Sequence, residues 1–312
     1  MMISRRTTLG LLAASAATAG SAAAVEPAAS TLVIKDLSPK FLAFYEAATR
    51  EKADPDRRWA LWKELYGFAA VPPTPEGQAM ARRLLDAAWD RYPTVMDRIR
   101  AGAAGMTPSP QSALDQVVGL LKPDKPVTIT LLAYVGGLEP NAFTAGDSKR
   151  PVVAIPIEMD PGMRAYILPH ELTHAVQIGM GVSSGAWERS IGVTALSEGL
   201  AMRVAHALHP DRSPEEITSH RPGWFAEATA KRRQILADVR DAAALSGSDD
   251  VHRFTIGKGP AGIEREAYYA GWVVVGALHD QGLSWAQIAR IPEADAPARL
   301  AAAIDALLAA KT

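Results

Sequence analysis

The sequence predicts an α+β fold that is mostly helical, with a helical N-terminal layer, a small sheet and further helices after the sheet. Most of the chain places apolar residues three and four positions apart, a spacing typical of amphipathic helices. Two segments near the middle are instead rich in β-branched residues and bounded by Pro, Gly and Asp, as strands are. With 312 residues, of which 48% are hydrophobic, the chain is long enough for one large globular domain or two smaller ones.

Charge and cysteine content exclude several classes of protein. The chain has 33 Lys and Arg against 34 Asp and Glu, so no basic field favours nucleic acid and no polybasic block favours an anionic membrane surface. We therefore expect a small molecule or a peptide as partner. The chain has no cysteine, which excludes disulfides and thiolate ligands. Any bound metal must be held by His and carboxylate side chains.

Residues 1–24 predict an export signal peptide. Two arginines, Arg5 and Arg6, precede an uncharged run that extends through Val25, and small residues are spaced for cleavage after Ala24. The string SRRTTL resembles the twin-arginine export pattern, with Thr8 where that pattern usually has Phe. The alternatives are an ordinary Sec signal and an uncleaved anchor, although the Ala, Ser, Thr and Gly content disfavours an anchor. We expect a periplasmic or secreted protein without stable membrane insertion after cleavage.

Residues 25–124 predict a helical N-terminal region. Ser38-Pro39 is expected to begin a helix that continues through Glu51, and Asp56 is expected to begin the next one. The stretch Thr74-Pro75-Glu76 has the pattern of an N-cap followed by a first-turn Pro and an acidic residue. Further helices are predicted over residues 77–91, 92–101 and 109–121.

The second region, residues 125–312, begins with the two strand-like segments. Strands are predicted over residues 126–135 and 151–159, with residues 136–150 as the loop between them. Helices follow over residues 192–209, 214–219, 224–245, 263–281, 284–290 and 295–310. A helix around residues 161–177 precedes these six and contains the string HELTH.

The string HELTH, residues 170–174, can bring two imidazoles to one ion. His170 and His174 are four residues apart, so on a helix they lie on the same face. Glu171 lies beside that face, where its carboxylate can reach a metal-bound water.

The start of this helix is predicted at Asp160 and Pro161, as N-cap and first helical residue. Pro169 has no N–H to bond the Ala165 carbonyl, so the sequence predicts either a kink at Pro169 or a helix that begins near it.

A third ligand decides whether HELTH is a metal site, because the pattern HExxH arises by chance in about one chain in a hundred of this length. Catalytic zinc sites use three protein ligands and keep one position for water. Glu198 follows His174 by 24 positions, and Gly199 beside it permits a close helix approach. Glu198 lies between Leu196 and Leu200, which favours an inward position over a solvated carboxylate on a helix surface.

HELTH followed by Glu198-Gly-Leu-Ala resembles the gluzincin metallopeptidases, and is most similar to the bacterial group of predicted zinc-dependent proteases. The string AYYAGW, residues 267–272, resembles the Gly-Tyr-x-x-Gly-aromatic pattern of that group, with Ala267 at the first Gly. The thermolysin family shares HELTHAV but has Asp where this chain has Met202, so the chain resembles thermolysin proper less. The resemblance covers roughly residues 125 to 290.

The resemblance implies a zincin-like catalytic region within residues 125–312, with one Zn²⁺ per chain on His170, His174 and Glu198. It also implies a hydrolase, a metallopeptidase that cleaves peptide bonds. Zinc would lower the pKa of its bound water to about 7. Glu171 would act as general base and then as general acid.

The resemblance also suggests residues around this centre. Tyr268 is the candidate donor to the oxyanion and Tyr269 the second candidate, the alternative being that both only pack. His206, eight residues after Glu198, is interpreted as a core histidine, and the other histidines receive no role. The predicted strand at residues 151–159 is expected to offer an edge to an extended peptide substrate.

Two other functions stay open at this stage. One is a non-enzymatic exported protein with a structural zinc site or a protease-like binding fold. The other is a zinc hydrolase that acts on a non-peptide amide. The oligomeric state, the choice between twin-arginine and Sec export, and the role of the N-terminal helices are left open.

Overall fold

The computed structural model describes residues 29–186 and 188–310. Within them the chain forms an α+β, mostly helical fold, with fourteen α-helices and a four-stranded mixed sheet. The predicted signal peptide, residues 1–24, lies outside the described residues. Among the helices that are described, none is both long and apolar enough to span a membrane.

The N-terminal part begins with a strand and continues as helices. Its elements are β1 (Thr31–Asp36), α1 (Ser38–Glu51), α2 (Pro55–Leu65), α3 (Pro75–Ala88), a 3₁₀ helix (Trp89–Val95), α4 (Met96–Ala101), a short 3₁₀ turn (Ala103–Gly105) and α5 (Pro110–Leu121). Thr74 caps α3 as predicted, since its hydroxyl accepts the Gly77 N–H at 3.1 Å. α2 is capped by Asp54 rather than started by Asp56, and the strand β1 was not predicted.

The sheet has the strand order β1-β2-β4-β3, with β2 (Thr128–Tyr134), β3 (Phe143–Asp147) and β4 (Arg150–Pro156). The first three strands in this order are parallel, and β3 pairs antiparallel with β4, so that Thr144 lies opposite Val153. The interpretation of residues 136–150 as a loop was therefore wrong over Phe143–Asp147. The hairpin turn to β4 is closed by the Asp147 carboxylate, which accepts the N–H groups of Lys149 and Arg150.

The sheet order also corrects the predicted substrate edge. β4 lies between β2 and β3, so both of its edges are already hydrogen-bonded. The outer strand on this side of the sheet is β3.

Helices make up the rest of the described chain. They are α6 (Pro161–Gly179), α7 (Ile191–Leu208), α8 (Pro214–Thr218), α9 (Trp224–Ala230), α10 (Arg232–Ala242), α11 (Ser248–Thr255), α12 (Glu266–Asp280), α13 (Trp285–Ala289) and α14 (Ala296–Ala309). The helix predicted over residues 224–245 is two helices, because the backbone leaves the helical region at Lys231 with φ −106° and ψ 14°. α11 was not predicted.

Two large apolar clusters and a small third one lie inside the described part of the molecule. The third joins α7, α8 and α12 through Met202, Ala205, Ile217 and Trp272. Of the two large clusters, the smaller one joins α1 to α4 around Phe41, Phe44 and Tyr92. The larger one joins the sheet to α5, α6, α7, α10, α12 and α14. β1 and α5 precede residue 124 yet belong to the sheet and to the larger cluster, so the helical layer proper is α1 to α4.

Candidate metal centre

Helix α6 carries the two histidines on one continuous face. The Asp160 side chain caps its start as predicted, accepting the N–H groups of Gly162 and Met163 at 2.8 and 3.2 Å. The helix runs from Pro161 through Pro169 to Gly179, so the alternative in which it begins near Pro169 was wrong. The hydroxyl of Thr173, which directly precedes His174, donates to the Pro169 carbonyl at 2.8 Å.

Helix α7 brings the third predicted ligand, and two glycines set how close it comes to α12. A Cβ on Gly199 would lie 2.3 Å from the Gly271 carbonyl oxygen, and a Cβ on Gly271 would lie 1.9 Å from the Ala195 carbonyl oxygen. Only glycine fits at this crossing. Since Glu198 precedes Gly199 directly, the Glu198-Gly-Leu-Ala string and the AYYAGW string meet in space and form one packed unit.

The three predicted ligands form a compact triangle. The Nε2 atoms of His170 and His174 are 3.2 Å apart, and Glu198 Oε2 lies 3.3 Å from the first and 3.4 Å from the second. The side chains of His170, His174 and Glu198 are 20%, 12% and 12% exposed, so the triangle is largely shielded from solvent. These three ligand atoms can hold one metal ion.

Charges within the triangle favour an ionised Glu198. Burial alone would raise the pKa of this carboxyl, but the His174 and His170 imidazoles hold it well below its usual range. Burial alone would lower the pKa of His170, but its hydrogen bond to Glu198 and the charge of Glu171 raise it overall. Glu198 is therefore deprotonated at neutral pH, as a metal ligand must be.

A polar chain behind His174 orients its ring. His174 Nδ1 lies 3.1 Å from the Ser197 hydroxyl, and this hydroxyl lies 3.5 Å from Gln177 Oε1. With the Nδ1–H donating to Ser197, the Nε2 lone pair points into the triangle. Ser197 and Gln177 are both buried. Sequence reasoning missed them, although each is within one helical turn of a predicted ligand.

Glu171 is held beside the triangle by strand β3. The Thr144 hydroxyl lies 2.7 Å from Glu171 Oε2 and 2.9 Å from the Glu171 carbonyl oxygen, and can donate to either. The other carboxylate oxygen, Oε1, makes no hydrogen bond within residues 29–186 and 188–310. Thr144 was also missed, because its strand was interpreted as a loop.

Comparisons of the chain with family models, with curated proteins and with solved structures find no match.

The two predicted tyrosines have different surroundings. Tyr268 is half-buried on α12, and burial, followed by the charge of Glu198, raises the pKa of its phenol, with a smaller contribution from Glu171. It therefore keeps its O–H proton at neutral pH. The Arg265 guanidinium lies over the Tyr268 ring, 5.0 Å from the ring centroid. The Tyr269 hydroxyl instead donates to Thr229 of α9 at 3.3 Å.

His206 has a packing environment. Its Nε2 lies 3.1 Å from the Arg212 carbonyl oxygen, and its ring packs edge-on against Trp272, with the centroids 5.4 Å apart. The imidazole of His279 stacks on Trp285 and bonds the Leu283 carbonyl. Neither side chain belongs to the triangle.

Proposed function

We propose that the protein is an exported zinc-dependent metallopeptidase that hydrolyses peptide bonds. The observation that carries the proposal is the triangle of His170, His174 and Glu198 with the Glu171 carboxylate held beside it.

The donor atoms fit zinc. Zn–N and Zn–O distances of about 2.0–2.1 Å place two ligands of a tetrahedral site about 3.3–3.4 Å apart. The three separations of 3.2, 3.3 and 3.4 Å agree with one face of such a tetrahedron. Two imidazoles disfavour Ca²⁺ and Mg²⁺, which prefer oxygen ligands. Within the part of the chain that the structure describes, no fourth His, Asp or Glu joins the group, which favours a catalytic over a structural site.

Zinc bound here would supply a Lewis acid for the scissile carbonyl and an acidified water. Glu171 Oε2 is fixed by Thr144, which leaves Oε1 to take the proton of the attacking water and return it to the leaving amine nitrogen. The Tyr268 phenol, protonated at neutral pH, would donate to the oxyanion.

Strand β3 supports a peptide as the substrate. It is the outer strand of the sheet, and Thr144 at its centre contacts Glu171. An extended chain paired with the free edge of β3 would have its main chain aligned beside the general base. A non-peptide amide has no main chain to pair in this way.

Loss of hydrolysis with metal retained tests the proposal. We expect Glu171→Gln to keep about one zinc per chain and to lose peptide hydrolysis by about 10²- to 10⁴-fold, since Glu171 moves the proton but is not a ligand. Elemental analysis and mass spectrometry of a peptide library give the two readouts. Glu46→Gln, an exposed carboxylate on α1, is the matched control. The proposal fails if the zinc-loaded wild type cleaves no peptide, or if Glu171→Gln cleaves at the wild-type rate.

Export is a separate part of the proposal. It predicts a mature chain that begins at Val25 and is found outside the cytoplasm. Replacing Arg5 and Arg6 by Lys should stop twin-arginine export and leave a Sec signal functional. N-terminal sequencing of the protein in the periplasmic fraction measures both.

A further inference from the structure

A cavity of about 420 Å³ lies between the N-terminal helices and the carboxyl end of β2. Its walls include Trp62 of α2, Leu84 of α3, Tyr134 of β2 and Asn141 before β3. Its volume falls within the range of about 300–1,000 Å³ that is typical of ligand pockets. The function proposed above makes no use of this cavity.

The cavity walls suit an apolar group. Phe68, Met80 and Leu84 add to the aromatic and aliphatic surface. Polar groups at the wall are already hydrogen-bonded to one another: the Asn141 amide donates to the Ala70 carbonyl at 2.9 Å, and the Gly136 carbonyl accepts the Tyr92 hydroxyl at 2.8 Å. An incoming polar group would therefore find few free partners.

Charges around the cavity disfavour an acidic occupant. Among the described residues, no Lys or Arg lines it, whereas the exposed carboxylate of Glu139 does. A second carboxyl lies just behind the wall, where buried Glu158 accepts the Gly136 N–H at 2.8 Å. A neutral apolar group fits this surface and a carboxylate does not.

The cavity lies close to the general base. Asn141 lines it, and Thr144, which bonds Glu171, follows three residues later. Three residues of chain span at most about 10 Å. Tyr134, which also lines the cavity, is close enough to Glu171 to sense its charge. Burial raises the pKa of the Tyr134 phenol, and the charge of Glu158 and then that of Glu171 raise it further.

We propose that this cavity binds a bulky apolar side chain of the peptide that is being hydrolysed. The inference rests on the proposed peptidase function and adds a substrate preference to it. A peptide paired with β3 advances by about 3.3 Å per residue. A span of about 10 Å then places the bound side chain two to three residues from the scissile bond. The helices α2 and α3 would thereby act as a wall of the substrate site.

Peptides that vary only at those positions test the inference. For the zinc-loaded full chain we expect kcat/KM to be about 10- to 100-fold higher with Phe than with Ala there, from burial of one large apolar side chain. Glu should be no better than Ala. Leu84→Trp, which fills the cavity, should reduce the Phe preference, the ratio of kcat/KM for the Phe and Ala peptides, to less than about threefold. Leu84→Ala should keep the preference for Phe. Leu120→Trp, a half-buried Leu on α5 outside the cavity, is the matched control.

A binding measurement separates failure of the inference from failure of the proposed function. N-acetyl-phenylalanine amide should bind the metal-free wild type in a saturable way by NMR titration, and Leu84→Trp should abolish this binding. N-acetyl-alanine amide should not bind. If peptides are cleaved but Leu84→Trp keeps the full Phe preference, the inference is overturned and the peptidase stands. If no peptide is cleaved, the proposed function fails. If the amide nevertheless binds the wild type and not Leu84→Trp, the cavity is an apolar ligand site without a role in peptide cleavage.

Discussion

Replacing Gly271 by Ala should displace Glu198 from the two histidines, although none of the three predicted ligands is substituted. The added Cβ would lie 1.9 Å from the Ala195 carbonyl oxygen, whereas ordinary contacts begin at 3.4 Å. The neighbour is backbone and cannot rotate away, so α7 and α12 must separate by about 1.5 Å, the difference between these distances.

A separation of this size is enough to break the triangle. If all of it moved Glu198 away from the histidines, the distance from Glu198 Oε2 to His170 Nε2 would rise from 3.3 Å to about 4.8 Å. Two atoms that are each about 2.1 Å from one ion can be at most about 4.2 Å apart. We therefore expect Gly271→Ala to lower zinc affinity by at least about 10- to 100-fold. Overpacking should also lower the free energy of unfolding by about 1–3 kcal/mol.

Competition with a chelator of known affinity measures the zinc affinity, and circular dichroism verifies that the variant is folded. Gly119→Ala is the matched control, because Gly119 lies in α5 and a Cβ there would have nothing within 4 Å. It should bind zinc as the wild type does and gain up to about 1 kcal/mol of helix stability. A folded Gly271→Ala variant with wild-type zinc affinity would refute the claim that this crossing positions Glu198.

Substitutions at three further positions give separate predictions. Thr144→Val should lower kcat for peptide hydrolysis by about 10- to 100-fold with zinc retained, since a hydrogen bond to the charged Glu171 is lost. Thr144→Ser keeps a hydroxyl and should restore most of the rate. Equal rates in the wild type and both variants would contradict the role of Thr144 in holding Glu171. Tyr268→Phe should lower kcat by about 10²- to 10³-fold with little change in KM if its phenol stabilises the oxyanion, and an unchanged kcat would assign Tyr268 to packing. Burial raises the pKa of Glu158 from 4.5 to about 7, so the folded state keeps a proton that the unfolded state loses, and stability falls as pH rises through this window. At about 1.36 kcal/mol per pH unit, the loss above pH 7 is about 3 kcal/mol. The side chain introduced by Glu158→Gln cannot ionise, so the free energy of unfolding of the variant should exceed that of the wild type by up to this amount at about pH 8 but not at about pH 4. Denaturant unfolding at both pH values measures the difference, and a difference that is the same at both would contradict the prediction.

The elements that the sequence predicted well are those that local chemistry determines. Thr74 and Asp160 each precede a Pro at a helix start, and both side chains accept N–H groups of the first turn. The spacing of His170 and His174 places both on one face of the helix, and this placement does not depend on tertiary contacts. Gly199 beside Glu198 indicated a close helix approach, which the structure confirms at the crossing with α12.

The elements that the sequence did not predict depend on distant partners. β1 is a strand because it pairs with β2, about a hundred residues later. β3, with the sequence FTAGD, has only two residues that favour strands, Phe143 and Thr144, and is stabilised by its hairpin with β4. Because β3 was missed, so was Thr144, which holds Glu171. The cavity could not be predicted either, since its walls come from helices and strands brought together only in the fold.

Zinc content of the wild type and of Glu198→Ala tests the central claim most directly. Both proteins are purified, exposed to the same buffered free zinc and measured by elemental analysis, with circular dichroism to show that the variant is folded. The geometry predicts about one zinc per wild-type chain and a large loss in Glu198→Ala, because two imidazoles on one helix face remain without their carboxylate. Equal zinc content in the two folded proteins would contradict the assignment of Glu198 as the third ligand.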